Sequence, residues 1–276
     1  MTWLPGGHDD WFSVNLSEAN FRLRFNRRAS VLYQDFEEAA DQAAQLLYKE
    51  WGHRPLYVAL SGGLDSELTA RILLKNKIPF TPVILKIGDY NYLESWYAEY
   101  WCYTNNITPA IINCSAEEFV KAYVQHSTKL VKIKDDCQTP AMILHDYVQN
   151  LGGYCINSCG DINFDHERKE FYCATLDFTT NIVDIGAHPT SFFMYTPELA
   201  LSYINQFDIT QTEQYNKLKF YKVAARPKID YMSPLHETYQ PLMQVRDKLF
   251  FLFDFEKHNA IHWYGTKEQI IQDLHP

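Results

Sequence analysis

From Asp35 to Trp51 apolar positions recur every three or four residues, with Phe36, Ala39, Ala40, Ala43, Leu46 and Leu47 on one helical face. Gly52 stops that helix and Pro55 reinforces the break. The pattern then changes. Leu56–Leu60 (LYVAL) is a short unbroken apolar run, as expected of a parallel strand buried on both faces. The alternation repeats down the chain. A helix is predicted from Ser66 to about Lys77, with Leu68, Ile72 and Leu73 inward, then a buried strand at Pro82–Ile87. A helix around Leu93–Asn105, a strand at Ala110–Asn113 and a helix from Ala116 to about Lys129 follow. Ser115, with Glu118 three residues later, forms a capping-box pattern ahead of that last helix. A helix near Pro140–Leu151 closes at Gly152-Gly153 and leads to a strand at Tyr154–Asn157.

Strands alternating with helices at this spacing predict a doubly wound parallel sheet, an α/β fold. The regularity fades after about residue 165. Phe171–Thr175 and Asn181–Ile185 are expected to form a hairpin, and Pro197–Gln206, Thr212–Ala224 and Met243–His258 to be helical. The first residues look irregular, with one extended piece around Phe21–Phe25. Three regions result: an N-terminal extension (1–34), an α/β core (35–168) and a mainly helical C-terminal part (169–276).

Composition narrows the function. With 46% hydrophobic residues the chain can build a large core. No apolar run approaches the ~20 residues of a membrane span, and MTWLPGGHDDWF is not a secretory signal. Lys and Arg number 25 against 34 Asp and Glu, a net charge of −9, which disfavours a nonspecific nucleic-acid binder. Six scattered cysteines read as reduced thiols in a cytoplasm. Cys155 and Cys159 read as packed thiols, and His258 and His262, at i and i+4, lack a third ligand for zinc. His8, Asp9 and Asp10 are expected at the surface.

The chemistry concentrates in Leu60-Ser61-Gly62-Gly63-Leu64-Asp65-Ser66, between a buried strand and a helix. Such a turn leaves the carboxyl end of a strand, where open α/β sheets place their ligands. Two glycines let the backbone approach a ligand and adopt positive φ. Main-chain N–H groups and the helix dipole then form an anion pocket, to which Ser61 and Ser66 add hydroxyls. Asp65 would repel bare phosphate, and makes sense if Mg²⁺ lies between its carboxylate and the phosphates. The G-x-x-x-x-G-K-[ST] and G-x-G-x-x-G patterns are both missing here.

SGGLDS at 61–66 resembles the PP-loop of N-type ATP pyrophosphatases, and its Leu-Asp-Ser form is most similar to the synthetase domain of asparagine and β-lactam synthetases. The resemblance covers about residues 35–165. It implies a five-stranded parallel sheet with helices on both sides, and ATP cleavage between the α and β phosphates with AMP passed to a substrate oxygen. By this resemblance Ser61, Gly62, Gly63, Asp65 and Ser66 hold the pyrophosphate portion of ATP, with Asp65 also on Mg²⁺. Leu60 would lie near the adenosine. Lys86-Ile87-Gly88 stands where family members hold adenine with main-chain groups, centred on Ile87. Gly160-Asp161-Ile162-Asn163-Phe164-Asp165 matches a second, acidic family loop in part. Gly160 borders the nucleotide, Asp161 falls on a catalytic glutamate, and Asp165 is displaced by one from the family aspartate. Which of Asp161 and Asp165 serves the metal stays open. A late lysine closes on the phosphates in the family. Among Lys217, Lys219, Lys222, Arg226 and Lys228, the first choice is Lys228, then Arg226 and Lys222.

The resemblance implies a ligase that adenylates a small-molecule carboxylate, releases pyrophosphate and forms an amide. Residue two is Thr2, and only about sixty residues precede the turn, so no N-terminal glutaminase with a nucleophilic cysteine is expected. Nitrogen would come from ammonia, another amine or a partner amidotransferase. Two alternatives stand beside this reading: modification of a nucleobase or tRNA by thiolation or amination, and a non-catalytic nucleotide-binding protein.

Overall fold

The computed structural model describes residues 3–17, 20–127, 138–158, 162–173, 191–222 and 262–275. Its centre is a four-stranded parallel sheet. After three N-terminal strands, β1 (Trp3–Gly6), β2 (Phe12–Ser17) and β3 (Asn20–Phe25), come α1 (Phe36–Trp51), β4 (Leu56–Ala59), α2 (Leu64–Lys75) and β5 (Thr81–Ile87). Then follow α3 (Tyr92–Thr104), β6 (Ala110–Cys114), α4 (Ala116–Ser127), α5 (Gln138–Asn150) and β7 (Tyr154–Ile156). The strand order is β6-β5-β4-β7. The order reverses between β5 and β7 on either side of β4, so the crevice of an open sheet falls at the end of β4. The predicted sheet had five strands, and four are seen among the described residues.

Period-two side-chain alternation divides the core into two faces. Leu56 and Val58 of β4, with Ile84 and Ile156, pack in one cluster with Ala40, Leu47, Leu68, Leu73 and Ala98 of α1, α2 and α3. Tyr57 and Ala59 face the other, where Val83, Leu85 and Ile87 meet Phe119 of α4 and Leu144 and Val148 of α5. Burial on both faces is why these strands read as continuous apolar runs rather than alternating ones.

The remaining elements are β8 (Ile162–Asp165), β9 (Glu170–Cys173), α6 (Pro197–Gln206), α7 (Glu213–Tyr221), β10 (His262–Gly265) and α8 (Lys267–Leu274). Helix α6 is buried from Pro197 through Ile204, a central element rather than a surface one. The stretch read as an acidic loop is in part a strand: Ile162 and Phe164 turn inward while Asn163 and Asp165 stay half-buried. β9 pairs antiparallel with β8 and β10, while the predicted strand at 181–185 and the predicted helix 243–258 lie outside the described residues.

The N-terminal segment is also more ordered than predicted, with β1, β2 and β3 forming an antiparallel sheet. It docks on the C-terminal part: the Trp11 indole N–H donates to the Met194 carbonyl at 2.8 Å, and Ala29 N–H to Leu274 at 2.7 Å. His8 is not simply at the surface. It is half-buried, stacked on Tyr195 and 2.7 Å from Glu50, whereas Asp9 and Asp10 are exposed. No described helix is long and apolar enough to cross a membrane.

Candidate functional site

The turn after β4 begins where the sheet ends. Leu60 is fully buried and its N–H still donates to Val83 of β5 at 2.9 Å. The chain then bends through Gly62, whose φ of 90° is a conformation side-chain-bearing residues rarely adopt. A Cβ there would also lie 2.1 Å from the Glu94 carbonyl oxygen, so α3 packs directly on the turn. Hydroxyls hold the bend. Ser61 N–H donates to Ser66 Oγ at 3.2 Å, Gly63 N–H donates to Ser61 Oγ at 3.2 Å, and Ser66 Oγ donates to the Gly63 carbonyl at 3.1 Å.

Helix α2 starts two residues earlier than its apolar periodicity suggests, because glycine takes the cap. Gly63 is the N-cap, with φ −74° and ψ 161°, and no side chain caps the first turn. Helix N-termini carry unpaired N–H groups and partial positive charge. Leu64, Asp65 and Ser66 supply that first turn at the carboxyl edge of the sheet. A Cβ at Gly63 would meet only Ser61 Oγ, at 3.4 Å, which leaves room beside these donors.

Asp65 is held from across the molecule. Helix α7, capped by Thr212 through a bond from Tyr215 N–H, presents Lys217 and Tyr221 four residues apart on one face. Lys217 Nζ lies 3.1 Å from Asp65 Oδ2, and the Tyr221 hydroxyl donates to Oδ1 at 2.5 Å. The Lys217 side chain is 14% exposed and also pairs with Glu213 at 3.1 Å. Arg71 of α2 clamps the end of α7 by donating to the Tyr221 carbonyl at 2.9 Å. The Tyr221 ring packs against Phe36 and Phe193. An ammonium therefore sits on the carboxylate predicted to bind Mg²⁺, a position suited to a cation. Among the described residues no three metal-ligating side chains converge.

The end of β7 forms the adjoining wall. Thr69 Oγ1 donates to the Asp65 carbonyl at 3.1 Å and lies 2.8 Å from Ser158 Oγ, tying α2 to the start of the second loop. Asn157 and His145 are buried beneath it, 3.4 Å apart, and burial pushes the imidazole pKa down to about 4. Gly160 and Asp161 follow directly but lie outside the described residues, as do Arg226 and Lys228.

Asp165 serves its own turn. Its Oδ1 accepts the N–H groups of Glu167 and Arg168 at 2.8 and 2.9 Å, closing the β8–β9 hairpin. Lys222 is exposed and pairs with Glu37 at 2.6 Å, in a surface network that includes Lys75. At the end of β5, Ile87 is fully buried. Its N–H is committed to Asn91 Oδ1 at 2.8 Å, and its carbonyl accepts from Tyr90 at 2.9 Å. On Ile87 itself the carbonyl's second lone pair is left for a base. Burial lifts the Cys102 and Cys114 thiols to about 11, and Cys155 is buried too, in keeping with packed thiols.

The fold thus assembles Ser61, Gly62, Gly63, Asp65 and Ser66 with Lys217 and Tyr221. Lys217 had only been one of a basic cluster, and Tyr221 carried no signal beyond its i+4 spacing from it.

No protein-family model matches this chain, and no curated protein matches it. Among solved structures it is similar to NMN synthetase from Francisella tularensis, at 12% identity over 81% of this chain and 98% of that one, with a TM-score of 0.36. It is also similar to the NH3-dependent NAD synthetase from Campylobacter jejuni subsp. jejuni NCTC 11168 in complex with the nitrate ion, at 13% identity over 81% of this chain and 99% of that one, with a TM-score of 0.35.

Proposed function

We propose that this chain is an ATP-dependent ligase of the PP-loop type, which adenylates a substrate carboxylate and forms an amide from ammonia or an amine. The observation that carries this reading is the convergence of Lys217 and Tyr221 of α7 on Asp65. It happens at an uncapped helix N-terminus, after a glycine bend at the sheet's switch point. That arrangement suits a polyphosphate: main-chain donors for its oxygens, a carboxylate for its cation and an ammonium for its charge.

In this reading the Ser61–Ser66 turn binds the β and γ phosphates of ATP. A carboxylate oxygen of the substrate attacks the α-phosphorus, the bond to the bridging oxygen breaks, and pyrophosphate leaves with the electron pair. The nitrogen nucleophile then attacks the acyl carbon and AMP departs. The chain's own contribution is positioning and charge stabilisation, with no protein nucleophile needed. Lys217 leaves Asp65 for the pyrophosphate as negative charge gathers there. Asp65 would hold Mg²⁺, which would supply positive charge against the phosphates. Asp161, Lys228, Arg226 and Gly160 retain the roles the resemblance implies for them, as part of this proposal.

The test is product analysis. Purified protein with Mg-ATP, ammonium and a panel of carboxylic acids is expected to release AMP and pyrophosphate in equal amounts, dependent on one acid. ADP and orthophosphate as products would overturn the reading.

A further inference from the structure

Among the described residues, one carboxylate beside this site has no polar partner. Asn91, just before α3, accepts from Ile87 N–H at 2.8 Å and donates to the Leu85 carbonyl at 2.7 Å, both buried, which locks the start of α3 to the end of β5. Glu94 stands three residues on, and its main-chain carbonyl is the atom against which Gly62 packs. Glu94 thus lies where the end of β5 and the glycine turn meet. Helix α3 begins at the carboxyl edge of the sheet, and helical side chains lean toward their helix N-terminus, which is the direction of the ligand edge.

Among the described residues no hydrogen bond or ion pair reaches the Glu94 carboxylate, whereas its neighbours are matched: Glu99 pairs with Lys86 at 2.7 Å and Asp65 with Lys217. Glu94 is half-buried, and burial alone pushes its pKa up to about 7. A desolvated carboxylate without a donor is unfavourable unless a ligand supplies one.

We propose that Glu94 recognises the ribose of the nucleotide, accepting hydrogen bonds from the 2′ and 3′ hydroxyls. This rests on the reading that ATP occupies the site. In ATP the sugar joins base to phosphates, and Glu94 stands between the strand end assigned to the base and the turn assigned to the phosphates. Hydroxyl donors favour the ionised form of a carboxylate, which is an acceptor only and disfavours phosphate oxygens. Carboxylates hold ribose hydroxyls in this way in dinucleotide-binding sheets.

The experiment is calorimetric titration of the full chain with ATP, 2′-deoxy-ATP and 3′-deoxy-ATP, each with Mg²⁺, for wild type, Glu94→Ala and Glu94→Gln. Wild type is expected to prefer ATP over at least one deoxy analogue by about tenfold or more, the worth of a hydrogen bond to a charged group. Glu94→Ala should erase that preference by weakening ATP, while leaving the disfavoured analogue within about twofold. Glu94→Gln, nearly isosteric, should reduce the preference and serves if the alanine variant fails to fold. Equal binding of all three nucleotides by wild type, or an undiminished preference in both variants, would overturn the assignment. So would a loss shared equally by ATP and both analogues, the mark of a metal role. If wild type binds no adenine nucleotide, the ligase reading fails first and this inference with it. If ATP binds without sugar discrimination, only the inference fails.

Discussion

Two aspartates stand close to the ends of short strands, Asp65 in the first turn of α2 after β4 and Asp165 at the end of β8, and they are satisfied in opposite ways. Asp165 is matched by its own neighbours, the N–H groups two and three residues on, and closes a hairpin. Asp65 is matched by Lys217 and Tyr221, separated from it by 152 and 156 residues. A locally satisfied aspartate requires nothing of the tertiary fold and is an ordinary turn device. A carboxylate held only by a distant helix exists because two elements converge there, and that convergence gives the site its charge pattern. The two carboxylates thus differ in whether neighbours in sequence or a distant helix hold them.

The largest effect that bears on it is expected at the glycine bend. Gly62→Ala forces a positive-φ alanine and drives a methyl to 2.1 Å from the Glu94 carbonyl, so α3 must shift. Thermal unfolding should show a loss of about 3 kcal/mol or more, with pyrophosphate release abolished. Gly152→Ala is the control: its φ is also positive, at 71°, but nothing lies within 4 Å, so about 1 kcal/mol is expected. Equal losses at both positions would mean that the packing of α3 on the turn is unimportant.

The wall beneath Asp65 comes next. The His145 pKa is depressed to about 4 in the folded chain, from a usual value near 6.5. The unfolded chain therefore binds the extra proton first, and stability present above about pH 6.5 is lost as pH falls toward 4. The loss is on the order of 3 kcal/mol. Urea titrations across that range should show it, and His145→Gln should flatten the slope. An unchanged slope would place the pH dependence elsewhere.

Asp65→Asn and Asp165→Asn test the comparison itself. The first should lower the rate of pyrophosphate release by about a hundredfold, or ~2.7 kcal/mol in the barrier. The second should cost ~1 kcal/mol of stability through a weakened turn cap and leave nucleotide binding unchanged. Comparable losses of turnover in both would return Asp165 to the candidate metal site.

The smallest effect belongs to Lys222. Its pairs with Glu37 and Asp35 are exposed, and solvent screens them. The Glu37 carboxyl is lowered to about 2, chiefly by its hydrogen bonds to Lys222 and then to Lys75. Its contribution is present above about pH 4.3 and fades as pH falls toward 2. Lys222→Ala should change stability by less than ~0.5 kcal/mol, with turnover intact, whereas Lys217→Ala should reduce turnover. A turnover loss at Lys222 that matches the loss at Lys217 would deny α7 its assigned orientation.

Most of the α/β core could be read in advance because its signals are local. α1, α3, α5 and α6 begin and end within about two residues of their predicted bounds, and the apolar runs at Leu56 and Pro82 are strands in place. The N-terminal sheet was half missed: its strands are short, and their pairing depends on partners brought in by turns. Ile162–Asp165 reads as a loop in sequence because four residues carry too little alternation to outweigh an acidic composition.

Within the candidate site the glycine bend and Asp65 were legible, since a strand, two glycines and a helix start occupy one stretch of chain. The partners of Asp65 were not. Nothing in the spacing of Lys217, Lys219 and Lys222 says which one turns inward, and the reading favoured Lys228. Asn91 and Glu94 gave no signal at all.

By itself the sequence determined where strands and helices lie and where the chain bends after β4, because hydrophobic period, caps and glycine conformations act over a few neighbouring residues. Only the tertiary structure decided which lysine meets Asp65, which aspartate closes a hairpin, and which glutamate is left without a donor among the described residues. Those outcomes depend on packing between elements far apart in the chain, and no local pattern encodes them.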